Sequence, residues 1–201
     1  MNLSITREEV NALPIRRYEG RICVLEGKED LAAAAADIHR ETVVGFDTET
    51  RPAFRPGESY LPSLAQLATA NAVWLFRLPD SQNELFLGQV LEKLEIVKAG
   101  VSVADDLKSL KKSIAFTEQS VVDLGRVAHR HGLKQTGVRN LAALFLGFRI
   151  PKGAKTTNWS RRTLSPQQIA YAATDAWACR ELYLKFQERG LLENRGQVQI
   201  S

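Results

Sequence analysis

The run Val43-Val44-Gly45-Phe46 leads directly into Asp47-Thr48-Glu49-Thr50, and this junction constrains the fold more than any other stretch of the chain. Paired valines followed by phenylalanine favour extended backbone. The apolar character of the segment predicts a strand over 41–47 that is buried on both faces. Such a strand needs helices above and below it, which points to an α/β domain rather than a helix bundle or a half-solvated sheet. Side chains two apart on a strand share a face, so Asp47 and Glu49 converge on one spot. That spot lies at the strand's carboxyl end, where ligands of open α/β sheets bind. Asp-Thr-Glu-Thr is equally a plausible strand-to-turn exit, and the tetrapeptide alone does not separate the two readings.

The surrounding pattern alternates strands and helices. Strands are expected at 21–26, 63–69, 72–78 and 95–101 besides 41–47, with a short edge strand at 121–122. Helices are expected at 28–40, 82–94, 105–113, 124–131, 138–146 and 166–189. Pro52, Pro56, Gly57 and Pro62 mark a loop after the acidic pair, and Ala70-Asn71 marks a tight hairpin. The last helix has the clearest start: Ser165 as N-cap, Pro166 in the first helical position and Gln168 completing a capping box. Three antiparallel strands first, then helix-flanked strands, make an α/β domain with a mixed sheet and helices on both faces. The expected organisation is an N-terminal extension over 1–20, one domain over 21–190 and a tail over 191–201.

With 201 residues, 44% of them hydrophobic and 25% charged, the chain has enough apolar content for a sizeable core, which excludes a disordered polypeptide. No apolar run reaches a membrane span, and the polar Met1–Val10 stretch does not read as a signal peptide. Cys23 and Cys179 have no metal-like spacing and are expected as buried thiols in a reducing compartment, the cytoplasm. The net charge of +4 is a weak signal; its distribution is a stronger one. Between Asp123 and Asp175 lie 51 residues without an acid, holding nine Lys or Arg together with His129 and His131. Such a run can be a solvated basic face. Its interleaving with Phe148 and Trp159, and its approach to an acid within a helix, favour a surface for phosphates.

Further carboxylates come from two other elements. Asp105 and Asp106 open a helix directly after a strand, and one of them is expected as its N-cap, leaving the other free. Tyr171 and Asp175 are spaced i,i+4 on the last helix and so share a face. Tyr171 also reads as a half-buried core aromatic, whereas Asp175 sits on an otherwise apolar stretch and needs a cation. His39, His129 and His131 are poorly placed to join these acids. An oxygen-only cluster suits Mg²⁺ or Mn²⁺ rather than zinc.

Phe46-Asp47-Thr48-Glu49-Thr50, the segment Ala99 to Leu107, and Tyr171-Ala172-Ala173-Thr174-Asp175-Ala176 resemble the three motifs of the DEDDy group of 3′-5′ exonucleases, in order and at family-like separations. The likeness is greatest to ribonuclease D and to the exonuclease domain of Werner-type proteins. It covers residues 20 to 187 and includes Leu141 to Gly147 and Asn158-Trp159-Ser160. The resemblance implies a ribonuclease H-like fold and release of nucleoside 5′-monophosphates from a free 3′ end of DNA or RNA, single-stranded or recessed. It implies two divalent cations, Mg²⁺ or Mn²⁺, flanking the scissile phosphate. Asp47 would bridge both, Glu49 and Asp175 would hold the one that activates water, and Asp106 would reach the other. Asp106 matches the motif because it directly precedes Leu107; Asp105 is the alternative. Tyr171 would position the attacking water. Arg149, Lys152, Lys155, Arg161 and Arg162 are expected as phosphate contacts, Trp159 as a base-stacking or packing residue, and Phe54 or Leu64 as a wedge near the terminal base. A binding module that keeps the fold without catalysis, and a hydrolase of small phosphoesters, are the competing expectations.

Overall fold

The computed structural model describes residues 4–55, 57–153 and 156–192. A six-stranded mixed sheet organises them, in the order β1-β4-β3-β2-β5-β6. Its strands are β1 (Arg21–Val24), β2 (Val43–Thr50), β3 (Pro62–Ala68), β4 (Ala72–Arg77), β5 (Val97–Gly100) and β6 (Val121–Asp123). The antiparallel trio is β2, β3 and β4, while β2, β5 and β6 run parallel to one another. The strand at 21–24, first in the chain, lies outside the trio and pairs parallel with β4 at one edge of the sheet.

The β3–β4 hairpin turns at Ala70-Asn71 as expected. Thr69 Oγ1 accepts from the amides of Asn71 and Ala72 and donates to Asp37, pinning the turn to the preceding helix. That helix, α2 (Lys28–Ile38), joins α3 (Ser81–Glu92) and α4 (Val103–Leu110) on one face, over Val44, Phe46, Ala65, Leu67, Trp74 and Phe76. The other face carries α5 (Leu124–Arg130) and α7 (Pro166–Glu188), over Val43, Val97, Ala99, Leu64, Ala68 and Val73. Between them, α6 (Val138–Leu141) continues as a π-helical turn over Ala142–Leu146 that ends at Gly147 with φ 72°.

Helix α7 begins with the anticipated capping box: Ser165 Oγ accepts from Gln168 N, and Gln168 Oε1 accepts from Ser165 N. It crosses β2 at very short range. A Cβ placed on Gly45 would stand 2.0 Å from Ala176 O and 2.8 Å from Arg180 N, so a residue without a side chain is what lets helix and strand backbones meet. Residues 4–20, part of the segment expected as an extension, are docked on the domain. They contain α1 (Arg7–Ala12), Ile15 bridges to Arg149, and Tyr18 N donates to Thr174 Oγ1 of α7 at 3.1 Å.

Candidate active site

Strand β2 ends with Asp47 and Glu49 on the face covered by α7, as their i,i+2 spacing requires. The close crossing at Gly45 brings Asp175 of α7 to the same place. Asp47, Glu49 and Asp175 each offer a carboxylate oxygen, and the three lie within 4.8 Å of one another. Glu49 and Asp175 are only 7% and 5% exposed, so water does little to screen them. Burial, then the charges of Glu49, Asp175 and Asp106, push the Asp47 carboxyl well above the usual carboxylate range.

Asp106 approaches from the other side of β2. Thr48, whose side chain points away from Asp47 and Glu49, donates its hydroxyl to Asp106 Oδ1. Burial, aided by the charges of Asp105 and Asp123 and opposed by the Thr48 hydrogen bond, raises the Asp106 carboxyl to about 6. Its neighbour Asp105 is exposed, and neither aspartate caps α4. The N-cap is Ser102, in the left-handed region at φ 60°. The expected aspartate cap fails because α4 starts two residues earlier than the sequence pattern indicated, which moves both acids into its first turn. Facing Thr48 thus falls to Asp106.

One turn before Asp175, Tyr171 hydrogen-bonds to that carboxylate, and burial with the Asp175 and Glu49 charges keeps its phenol protonated far above the ordinary value. The ring is held from two directions. Trp159 lies with its ring centroid 6.1 Å away, and a Cβ on Gly153 would come within 2.5 Å of Tyr171 Cδ2. Asp47, Glu49 and Asp175, with Thr48, Tyr171, Ser102, Arg139 and Asn140, line a cleft of about 490 Å³ whose lining does not include Asp106. The sequence reading missed Thr48, Arg139 and Asn140. Arg139 belonged to the acid-free basic run, but nothing in its spacing tied it to the carboxylates. Cys179 also borders the cleft, buried, its thiol pushed up by burial and by Asp47 and Asp175; a thiol held protonated is a poor nucleophile.

The expected substrate contacts divide. Arg161, Arg162 and Lys152 are exposed, and the Arg161 carbonyl accepts from Arg77 Nη2 at 2.6 Å. Ser160 of the same loop meets Ser63 at the start of β3, beside the carboxyl end of β2. Lys155 lies outside the described residues. Arg149 is turned to the N-terminal segment, its Nε donating to Leu13 O at 3.2 Å, so it holds that segment in place. Trp159 is 0% exposed and packs among Leu64, Leu75, Ala172 and Ala176, which removes it as a base-stacking platform. Leu64, also 0% exposed, is a core residue and not a wedge, whereas Phe54 is 79% exposed. Both corrections share one cause: the start of α7 packs onto the α7-facing side of β3, and the aromatic and aliphatic residues there fill that interface.

Two buried carboxylates and a half-buried one within 4.8 Å repel one another, and a cation among them removes the cost. Their donor atoms are all oxygens, the set that hard divalent ions take. The residues present therefore fit a divalent cation, held by Asp47, Glu49 and Asp175, while Asp106 stands outside this group on Thr48. Fold and site together define an acid-cluster α/β domain built to work with divalent cations.

Comparison with known proteins makes the class specific. Residues 23–190 match the family model described as 3′-5′ exonuclease, and the chain belongs to that family. Ribonuclease D of Gluconacetobacter diazotrophicus is 32% identical over 174 residues, covering 85% of this chain and 43% of that protein. The bifunctional 3′-5′ exonuclease/ATP-dependent helicase WRN of Mus musculus is 31% identical over 191 residues, covering 89% of this chain and 13% of that protein. The chain thus spans less than half the length of these relatives. Among solved structures, the Nibbler EXO domain of Aedes aegypti superposes with a TM-score of 0.75 at 22% identity, covering 89% of this chain and 92% of that one. RNase D of Escherichia coli superposes with a TM-score of 0.72 at 20% identity, over 86% of this chain and 47% of that one. Both share the fold, as the sequence resemblance implied.

Proposed function

We propose that this chain is a 3′-5′ exonuclease that hydrolyses the terminal phosphodiester bond of DNA or RNA and releases nucleoside 5′-monophosphates, using two divalent cations, Mg²⁺ or Mn²⁺. The observation that carries the proposal is the meeting of Asp47, Glu49 and Asp175 within 4.8 Å, one helical turn from Tyr171, in a domain of the exonuclease family. When bound, such cations supply a water of lowered pKa and neutralise charge on the scissile phosphate and on the departing oxygen.

The chain's own residues supply the rest. Asp47, Glu49 and Asp175 would hold one cation, and Asp47 with Asp106 the other. Tyr171 keeps its proton, so its role is to orient the attacking water through its hydroxyl and not to deprotonate it. The water oxygen bonds to phosphorus as the bond from phosphorus to the 3′ oxygen breaks, and the 3′ oxygen of the shortened strand takes up a proton. Lys152, Arg161 and Arg162, exposed on the loop before α7, are offered as phosphate contacts, with Phe54 beside the terminal base.

The test is digestion of 5′-labelled single-stranded DNA, single-stranded RNA and recessed duplexes, with Mn²⁺ and with EDTA. A ladder shortening from the 3′ end with Mn²⁺, lost in EDTA and in Asp47→Ala, is expected. Wild-type cleavage by Asp47→Ala refutes the site, and binding without cleavage under every condition supports a silent binding module instead.

A further inference from the structure

The cleft over the carboxylates continues past Ser102. A second cavity of about 390 Å³ shares Ser102 and is walled by Gly125, Arg126, His129, Arg130 and Thr136. Thr136 immediately precedes Gly137 and Val138, which line the first cleft. Arg126, His129 and Arg130 are spaced i, i+3 and i+4 on α5, so they stand on one face, the two arginines about 6 Å apart along the axis. All three are exposed. Asp123 also borders this cavity, and its Oδ1 accepts from Ser102 N at 3.2 Å and Arg126 N at 3.1 Å. It caps α5, and its carboxylate borders the cavity beside the arginines.

A third cavity, also about 390 Å³, meets the cleft at Tyr171 and carries Arg17 and Lys152. The docked N-terminal segment walls it, through Tyr18 N to Thr174 Oγ1 at 3.1 Å and Arg16 N to Arg149 O at 3.1 Å. The carboxylate cleft thus borders two cation-bearing cavities, an open one at Ser102 and one at Tyr171 walled by the N-terminal segment.

We propose that the face of α5 formed by Arg126, His129 and Arg130 is a subsite for backbone phosphates of the strand lying 5′ to the cleaved bond. The inference rests on the exonuclease reading, because an enzyme of that kind needs room for a single nucleotide on one side of its cations and for a continuing strand on the other. The walled cavity suits the terminal nucleotide. The open helix face with its exposed arginines suits the strand that leads away, and phosphate charge is the feature that such a face recognises independently of base sequence.

Binding of 5′-fluorescein oligothymidylates of two and twelve nucleotides, measured by anisotropy in EDTA across a salt series, tests the subsite alongside cleavage of the same probes with Mn²⁺. The comparison is between the wild type and Arg126→Ala/Arg130→Ala, with Arg126→Glu as a second variant. Loss of two phosphate contacts lowers the slope of log affinity against log salt for the twelve-mer by about 1.4. The preference for twelve-mer over dinucleotide falls by about tenfold in both affinity and cleavage. An unchanged slope and preference in both variants overturns the proposal, as does an equal loss for both probes, which would place these arginines at the terminal nucleotide. A wild type that binds but never cleaves would overturn the exonuclease reading, and the binding comparison would still decide the subsite.

Discussion

Gly45→Ala separates the geometry of the site from its chemistry, because the substitution touches no carboxylate. The new methyl carbon would lie 2.0 Å from Ala176 O and 2.8 Å from Arg180 N, both backbone atoms of α7. Non-bonded heavy atoms need about 3.5 Å, so α7 would have to retreat by about 1.5 Å or tilt by an equivalent amount. A helix backbone cannot yield as a side-chain tip would, and the overpacking is expected to cost about 3 kcal/mol of stability. The retreat begins at the residue next to Asp175 and so opens the contact of Asp175 with Asp47 and Glu49. Misplacement by about 1 Å in a catalytic constellation costs on the order of a hundredfold in rate. Chemical denaturation followed by tryptophan fluorescence measures the first effect, since Trp74, Trp159 and Trp177 all lie in the core or against it. Cleavage of a labelled oligonucleotide and Mn²⁺ titration measure the second. A Gly45→Ala protein with wild-type stability, cation affinity and rate would refute the claim that this close crossing assembles the site.

Tyr171→Phe removes the hydroxyl and keeps the ring between Gly153 and Trp159, so kcat should fall by about a hundredfold with little change in KM; equal loss in both would contradict a role confined to water positioning. Trp159→Ala should lower unfolding free energy by about 3–5 kcal/mol, whereas a stacking residue on the surface would weaken binding and leave stability alone. The carboxyl of Asp106 is raised to about 6 in the folded state, so its protonation stabilises the fold in acid and that contribution is lost as pH rises through 6. In EDTA, the melting temperature of Asp106→Asn relative to the wild type should therefore climb between pH 4 and 7, and Mn²⁺ should close the gap at pH 7. A difference that is flat with pH would rule this out.

Much of the architecture follows from patterns spanning a few residues. The two-residue period of 43–50 places Asp47 beside Glu49. The 3.6-residue period places Tyr171 beside Asp175, and Ser165-Pro166 with Gln168 starts α7 where the capping box forms. Covalent geometry and local sterics enforce these relations in any fold that contains the strand and the helix. The strands and the mixed character of the sheet were legible as well, but their order in it was not, and the parallel pairing of β1 with β4 depends on α2 carrying the chain across the sheet.

What only the tertiary structure decided is which partner each side chain meets. Trp159 and Leu64 could have faced a substrate until α7 closed over β3, and Arg149 could have faced a phosphate until Leu13 took its guanidinium. Asp105 and Asp106 are neighbours in one helical turn, and they differ because Thr48 of a distant strand faces one of them. The chain alone thus determined the carboxylates, their faces and the elements that carry them, since these depend on backbone periodicity. Their convergence around one point, and the fate of each arginine and aromatic near it, came from packing between elements far apart in sequence, where a missing side chain at Gly45 sets the distance.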